Sequence, residues 1–141
     1  MDELAHCLGY LADQHVLTLC TQHGDQFWAA NCFYALDRED ISFWLMTEPS
    51  TLHGRLMVAS PQVVGTVSAQ TESVSQLQGV QFQGVITLAE GKAHQRGLEA
   101  YQRRFPIAKQ KSAPLWRLQI DRLKMTDNQL GFGTKLHWQR S

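Results

Sequence analysis

Residues 41–67, ISFWLMTEPSTLHGRLMVASPQVVGTV, place a strand-like run, a hydroxyl-rich loop, a short helical pattern and a second strand in unbroken succession. Ile41, Phe43 and Leu45 alternate with Ser42, Trp44 and Met46, the period of a strand whose two faces pack differently. Pro49 stops it. Thr51 stands as the N-cap of a turn containing Leu52, Leu56 and Met57, and Pro61 bars that helix from continuing. Free N–H groups at a helix start attract phosphate, so Thr47, Ser50, Thr51 and His53 are the first residues to consider around an anion. The competing reading is plain capping, which Thr and Ser perform with no ligand at all.

The chain has 141 residues, a usual size for one domain (1–141), and a domain of that size buries about two thirds of its unfolded surface. With 13 basic and 13 acidic residues the formal charge is zero, so the overall field gives no attraction to nucleic acid or to an anionic membrane. Any anion site must be local. No apolar run approaches the roughly 20 residues that span a bilayer, and MDELAH lacks the basic start of a signal peptide. Cys7, Cys20 and Cys32 are odd in number and unpaired in spacing, which fits a reducing cytoplasm and buried thiols. The six histidines form no His-Glu-x-x-His pattern and the cysteines no Cys-x-x-Cys, so no metal site is expected. Neither a Gly-x-Ser-x-Gly elbow nor a P-loop occurs, and Cys32 reads as a packed cysteine rather than the thiol partner of His53.

Working outward, Leu4, Cys7, Leu8 and Leu11 recur at helical spacing between Asp2 and Asp13, which predicts an amphipathic first helix packed as a lid. His15 to Thr21 and Phe27 to Leu36 read as strands joined at His23-Gly24-Asp25, a hairpin signal. Asp37 to Asp40 is a turn into the opening strand, and Val63 to Ala69 supplies the next. Val80, Phe82, Ile86 and Leu88 share one face of a run whose Gly79 and Gly84 mark a bulge or a close backbone approach. Leu98, Tyr101 and Phe105 share a helical face ended by Pro106, and Leu115 to Met125 is a strand with Trp116, Leu118 and Ile120 inward. Leu136 and Trp138 close the pattern. Six or seven strands with two or three helices, joined largely by hairpins, predict a mainly β, antiparallel barrel of Greek-key type.

The Thr-to-Pro segment at 47–67 resembles the flavin-mononucleotide-binding segment of the pyridoxamine 5′-phosphate oxidase-like split barrels. Their pattern runs strand, Thr, Ser-Arg-Lys turn, short helix, Asn-Pro, strand. GVQFQG at 79–84, AYQRRFPIAKQKSAPLW at 100–116 and TDNQLGFGTKLHW at 126–138 resemble the YhbP-like family within that superfamily. The resemblance implies a homodimer with FMN, or another small planar ligand, in a groove between subunits. It places Thr47 at the family's phosphate-binding Thr and Thr51 at its Ser. Leu52 and His53 replace the Arg-Lys pair, and Asn31 and Leu36 replace an upstream Arg and Lys. Substitute charges are available in Arg103, Arg104, Lys109 and Lys111, which alternatively complement a helix end, and in Lys135.

Asn31 lies between Ala30 and Cys32 in an apolar strand, where a buried amide would need a flavin edge or a protein partner. Gln81 alternates with Val80 and Phe82 and faces either the ring or solvent. Trp116 and Trp138 either stack on a planar ligand or pack in the core. The candidate ligand set is therefore Asn31, Thr47, Thr51, His53, Gln81 and Lys135, and no residue is an evident catalytic proton donor. Two readings follow from the resemblance. One is a flavin-dependent oxidoreductase in which FMN does the chemistry. The other is a non-catalytic split-barrel dimer that binds flavin weakly or not at all, or holds haem or another planar ligand through His53.

Overall fold

The computed structural model describes residues 1–111 and 113–141; Ser112, inside the stretch quoted at 100–116, lies outside the described residues. Three helices, α1 (Glu3–Asp13), α2 (Leu52–Ala59) and α3 (Gly91–Arg104), punctuate eight strands. The strands are β1 (Val16–His23), β2 (Gln26–Phe33), β3 (Ala35–Asp37), β4 (Ser42–Met46), β5 (Gln62–Ser68), β6 (Gln78–Leu88), β7 (Leu115–Asp127) and β8 (Lys135–Gln139). Every pairing is antiparallel, in the order β2-β1-β5-β6-β7-β4-β3, with β8 also on β7. The sheet curls around one core built from Leu17, Leu19, Phe43, Phe82, Leu118 and Ile120 among others.

Eight strands appear where six or seven were expected, because the run from Phe27 to Leu36 is two strands. Tyr34 breaks it. Its N–H donates to the His15 carbonyl at 3.0 Å and its hydroxyl to the Leu11 carbonyl at 2.6 Å, and the chain then leaves β1 to pair with β4. The alternation seen in β4 has its counterpart in two cores: Phe43 and Leu45 enter the main one, while Trp44 packs on α3 with Tyr101 and Leu115. Leu88, expected on the inner face, lies at the end of β6 and is 48% exposed.

A bulge does fall at Gly84, with the extra residue on the facing strand. Gln83 pairs with Arg122 and Gly84 with Ile120, leaving Asp121 without a partner on β6. The step inverts the phase of β7, so Trp116, Leu118 and Ile120 face inward before it and Leu123 and Met125 after it. Arg140 holds this seam: its N–H donates to Asp121 O at 2.7 Å, and its guanidinium donates to the Ile120, Asp40 and Ile41 carbonyls at 2.9 Å each. Three charge-assisted bonds to backbone carbonyls make Arg140→Ala an expected loss of about 2 kcal/mol in urea unfolding. A loss within error of zero would mean that water replaces the guanidinium without cost.

Helix α1 closes one mouth of the barrel. Asp2 caps it by accepting from the Ala5 N–H at 3.0 Å, and Cys7, Leu8 and Leu11 enter the main core. Tyr10 donates to Gln78 O at 3.0 Å and accepts from the Ala69 N–H at 2.9 Å, and His6 Nε2 reaches the buried Asp127 carboxylate at 2.7 Å. The helix is thereby fixed to the ends of β5, β6 and β7.

Candidate functional site

The loop from Thr47 to Thr51 is held from both sides. The Thr47 N–H donates to Pro114 O at 3.1 Å, and the indole of Trp116 donates to Thr47 O at 2.9 Å. Trp116 is therefore a buried core residue that positions this loop. At the other end Thr51 is the N-cap of α2, its Oγ1 accepting from the Gly54 N–H at 3.0 Å and donating to Glu48 O at 2.8 Å. A Cβ on Gly54 would lie 2.8 Å from both Pro49 Cα and Thr51 Oγ1, so only glycine lets the loop fold back onto the helix start.

His53 Nε2 lies 2.8 Å from Thr47 Oγ1 and 3.3 Å from Thr51 Oγ1. Three of the expected ligands thus converge. The Thr51 proton is committed to Glu48, while the imidazole tautomer sets which of Thr47 Oγ1 and His53 Nε2 donates across their contact. The first-turn N–H groups of Leu52 and His53 find no acceptor among the described residues, as is usual at a helix start. Burial lowers the pKa of His53, so the imidazole is predominantly neutral at pH 7 and supplies no fixed charge. Arg55 supplies one: its Nη1 donates to Ser50 O at 2.9 Å, bringing a guanidinium to the rim of this loop. Arg55 is not among the residues expected from the sequence, because nothing local signals that its guanidinium turns back to the loop.

Asn31, Gln81 and Lys135 lie elsewhere, on the outer face of the sheet. Asn31 is exposed, not buried, and its Oδ1 accepts from Thr18 Oγ1 at 2.9 Å, so it needs no ligand edge. The reason is that β2 is an edge strand with Ala30 and Cys32, not Asn31, turned toward the core. Gln81 and Lys135 are exposed on β6 and β8. Pairing places Met46, next to Thr47, opposite Leu115 and Lys135 opposite Thr126, a separation along β7 of roughly 36 Å. Within one chain Lys135 and Thr47 belong to different regions.

Leu36, Arg104, Trp138 and Cys32 have structural roles. Leu36 packs against the main core and cannot stand in for a cation. Arg104 donates to Gln14 O at 2.8 Å and stands 5.9 Å from the Phe105 ring centroid. Trp138 packs on the core with Arg140 over its face. Burial pushes the Cys32 thiol up to about 11, far from reactive. Among the described residues no three histidine, cysteine or carboxylate groups gather as metal ligands would, and no helix is long and apolar enough to cross a membrane.

A curled antiparallel sheet that carries a hydroxyl-rich loop and a short helix between its fourth and fifth strands is a split-barrel fold. Many solved structures share the fold. A heme binding protein from Mycobacterium smegmatis superposes with TM-score 0.83 at 19% identity, over 99% of this chain and 58% of that one. A FAD-binding protein from Mesorhizobium loti gives 0.71 at 15% identity, over 86% and 90% of the two chains. A putative pyridoxamine 5′-phosphate oxidase from Listeria innocua gives 0.68 at 12%, over 85% and 94%. No family model matches the chain. The chain nonetheless belongs to the UPF0306 family: it is 48% identical to the member from Photorhabdus laumondii, over 93% of this chain and 92% of that protein. It is 49% identical to a member from Yersinia pestis, over 93% and 89%.

Proposed function

We propose that this protein binds flavin mononucleotide, with the phosphate at the start of α2. The observation that carries this reading is the convergence of the Thr47 and Thr51 hydroxyls on His53 Nε2, at 2.8 and 3.3 Å, beside the Arg55 guanidinium. Hydroxyls, helix N–H groups, an imidazole and one guanidinium fit a phosphate monoester. The fit is weaker than that of an Arg-Lys pair, because one of the two cations is a histidine that is mostly neutral. Thr47 and the N–H groups of α2 donate to the phosphate, and Arg55 and His53 balance its charge. A bound flavin supplies electron transfer, and this chain's part is to hold and orient it. The groove is completed, in this reading, by a second copy of the chain.

Titration with FMN, followed by flavin fluorescence, tests the proposal directly, with riboflavin as the phosphate-free control. FMN is expected to bind at least tenfold more tightly than riboflavin. Thr47→Ala and Arg55→Ala each reduce that preference several-fold without changing riboflavin. If saturating FMN gives no signal, or the two flavins bind alike, the phosphate site is wrong.

The pH dependence has a fixed sign. Free His53 has its pKa below the ordinary 6.5, and a phosphate dianion beside it raises that pKa, so binding takes up a proton between the two values. FMN affinity therefore rises as the pH is lowered from 8 toward 6. His53→Gln is expected to flatten the profile.

A second reading is favoured by the neutral imidazole of His53 and by the heme binding protein from Mycobacterium smegmatis that shares this fold over 99% of the chain. Haem titration decides it: a Soret band lost in His53→Ala would transfer the site to haem. Light scattering that shows a monomer at all concentrations would remove the inter-subunit groove from either reading.

A further inference from the structure

Helix α1, strand β3 and helix α3 meet around a cleft of about 380 Å³ that is separate from the α2 loop, and none of the residues lining it is acidic. Small side chains leave it open. Ala12 stands in the last turn of α1, Ala35 begins β3 and Ala100 lies one turn before the end of α3, so each element meets the space with a methyl group where a longer side chain would fill it. The floor is apolar, with Leu11 and Tyr34 almost wholly buried. The rim is basic. Ala100, Arg103 and Arg104 share one face of α3 by helical spacing, and Arg38 follows β3 in the turn that leads to β4.

Arg96 and Arg117 are paired with acids, but among the described residues Arg38, Arg103 and Arg104 form no ion pair. Arg104 is pinned in place: its Nη2 donates to Gln14 O at 2.8 Å and to His15 Nδ1 at 2.7 Å. Arg38 reaches toward α1 from the other wall, its Nη2 3.8 Å from the position a Cβ on Gly9 would take. The ordinary role of such arginines is to complement a helix C-terminus, and α1 and α3 both end beside the cleft. Magnitudes separate the two roles. Each helix end carries about half a negative charge, so two ends offset about one of the three guanidiniums and leave an excess of about two. That excess over an apolar floor matches a dianion on an apolar body, and the planar forks of Arg38 and Arg103 suit the oxygens of a phosphate monoester.

We propose that this cleft binds a small organic phosphate monoester, its dianion held by Arg38 and Arg103 beside the fixed Arg104 and its apolar body laid on Leu11 and Tyr34. The site stands independently of the flavin reading, since it shares no residue with the α2 loop.

Amide chemical shifts of the full chain, followed during titration with phenyl phosphate above about pH 7, where a phosphate monoester is a dianion, test it against sodium chloride at matched ionic strength. Saturable shifts are expected at Ala12, Gln14, Ala100 and Arg104. Benzoate, with the same ring and a single charge, should bind at these amides roughly tenfold more weakly. The Arg38→Gln, Arg103→Gln double variant should also bind phenyl phosphate there roughly tenfold more weakly, whereas Thr47→Ala should leave these shifts unchanged. Both altered arginines are exposed, and the dispersion of the spectrum checks that the variant is folded. Shifts at these amides no larger than those with chloride, saturable shifts unaltered in the double variant, or benzoate binding as tightly as phenyl phosphate would overturn the proposal.

Discussion

Asp127→Ala is expected to lower the stability of the protein by about 3 kcal/mol, or roughly 10 °C in melting temperature for a chain of this size. Asp127 is 1% exposed and is the point where three elements meet. Its Oδ2 accepts from His6 Nε2 of α1 at 2.7 Å and from Gln78 Nε2 of β6 at 3.1 Å, and its Oδ1 accepts from the Gln129 N–H at 3.0 Å. Removing the carboxylate strands three donors, on the half-buried side chains of His6 and Gln78 and on the Gln129 N–H. Each stranded donor costs about 1 to 3 kcal/mol when no water reaches it, and partial solvation of His6 keeps the total near the lower bound. A loss below about 1 kcal/mol would show that α1 is held by its apolar face alone.

The same carboxylate sets an acid limit. Burial pushes its pKa up, but the bonds from His6, Gln78 and Gln129 outweigh burial and hold it below the usual carboxylate range. A depressed pKa contributes stability that is complete above the unfolded value of about 3.9 and is lost as the pH falls through the folded value. The stability gap between the native chain and Asp127→Asn should therefore close as the pH is taken from 5 down to 2. A gap that stayed constant over that range would assign the effect to packing instead.

The second large effect is at Gly97, where helix propensity and packing oppose each other. Alanine in mid-helix is favoured over glycine by about 1 kcal/mol, so an exposed site would gain from the change. Gly97 is not such a site. A Cβ there would lie 2.6 Å from Trp44 Cδ2 and 2.7 Å from its Cζ3. Trp44 cannot give way: it is 1% exposed, and its indole donates to Asp37 Oδ2 at 3.3 Å, a carboxylate also held by Arg96 at 2.7 Å. Overpacking of a rigid ring costs about 1 to 3 kcal/mol, so Gly97→Ala should be net destabilising by about 1 kcal/mol and Gly97→Val by about 3. Trp44→Leu, destabilising by itself, should remove most of the penalty of Gly97→Ala in a double-mutant cycle. A stabilised Gly97→Ala would mean that α3 shifts outward at little cost.

Much of this architecture was written in the sequence where the local signal was covalent or periodic. Pro49, Pro61 and Pro106 terminated elements, the turn at Gly24 made a hairpin, and the two faces of β4 announced two cores. The break at Tyr34 was invisible because the run around it stays apolar: what turns the chain is a hydrogen bond to the Leu11 carbonyl on a different element. Asn31 misled for a related reason, since an apolar neighbourhood in sequence says nothing about which strand is the edge. In the candidate site Thr47, Thr51 and His53 were legible because all lie within seven consecutive residues of the chain. Arg55 was not, because its guanidinium reaches back to Ser50 rather than out along the helix.

The seam in β7 bears finally on timescales. One edge of β7 is shared by two strands that do not touch the same part of it, β4 along Leu115 to Gln119 and β8 along Arg122 to Thr126, with Asp121 between them. A strand paired on one side only can detach without opening the other half of the barrel. Peeling of β8 is then a sub-global event of its own, limited by Arg140 and Leu136, and its amides should exchange with deuterium sooner than those of β4.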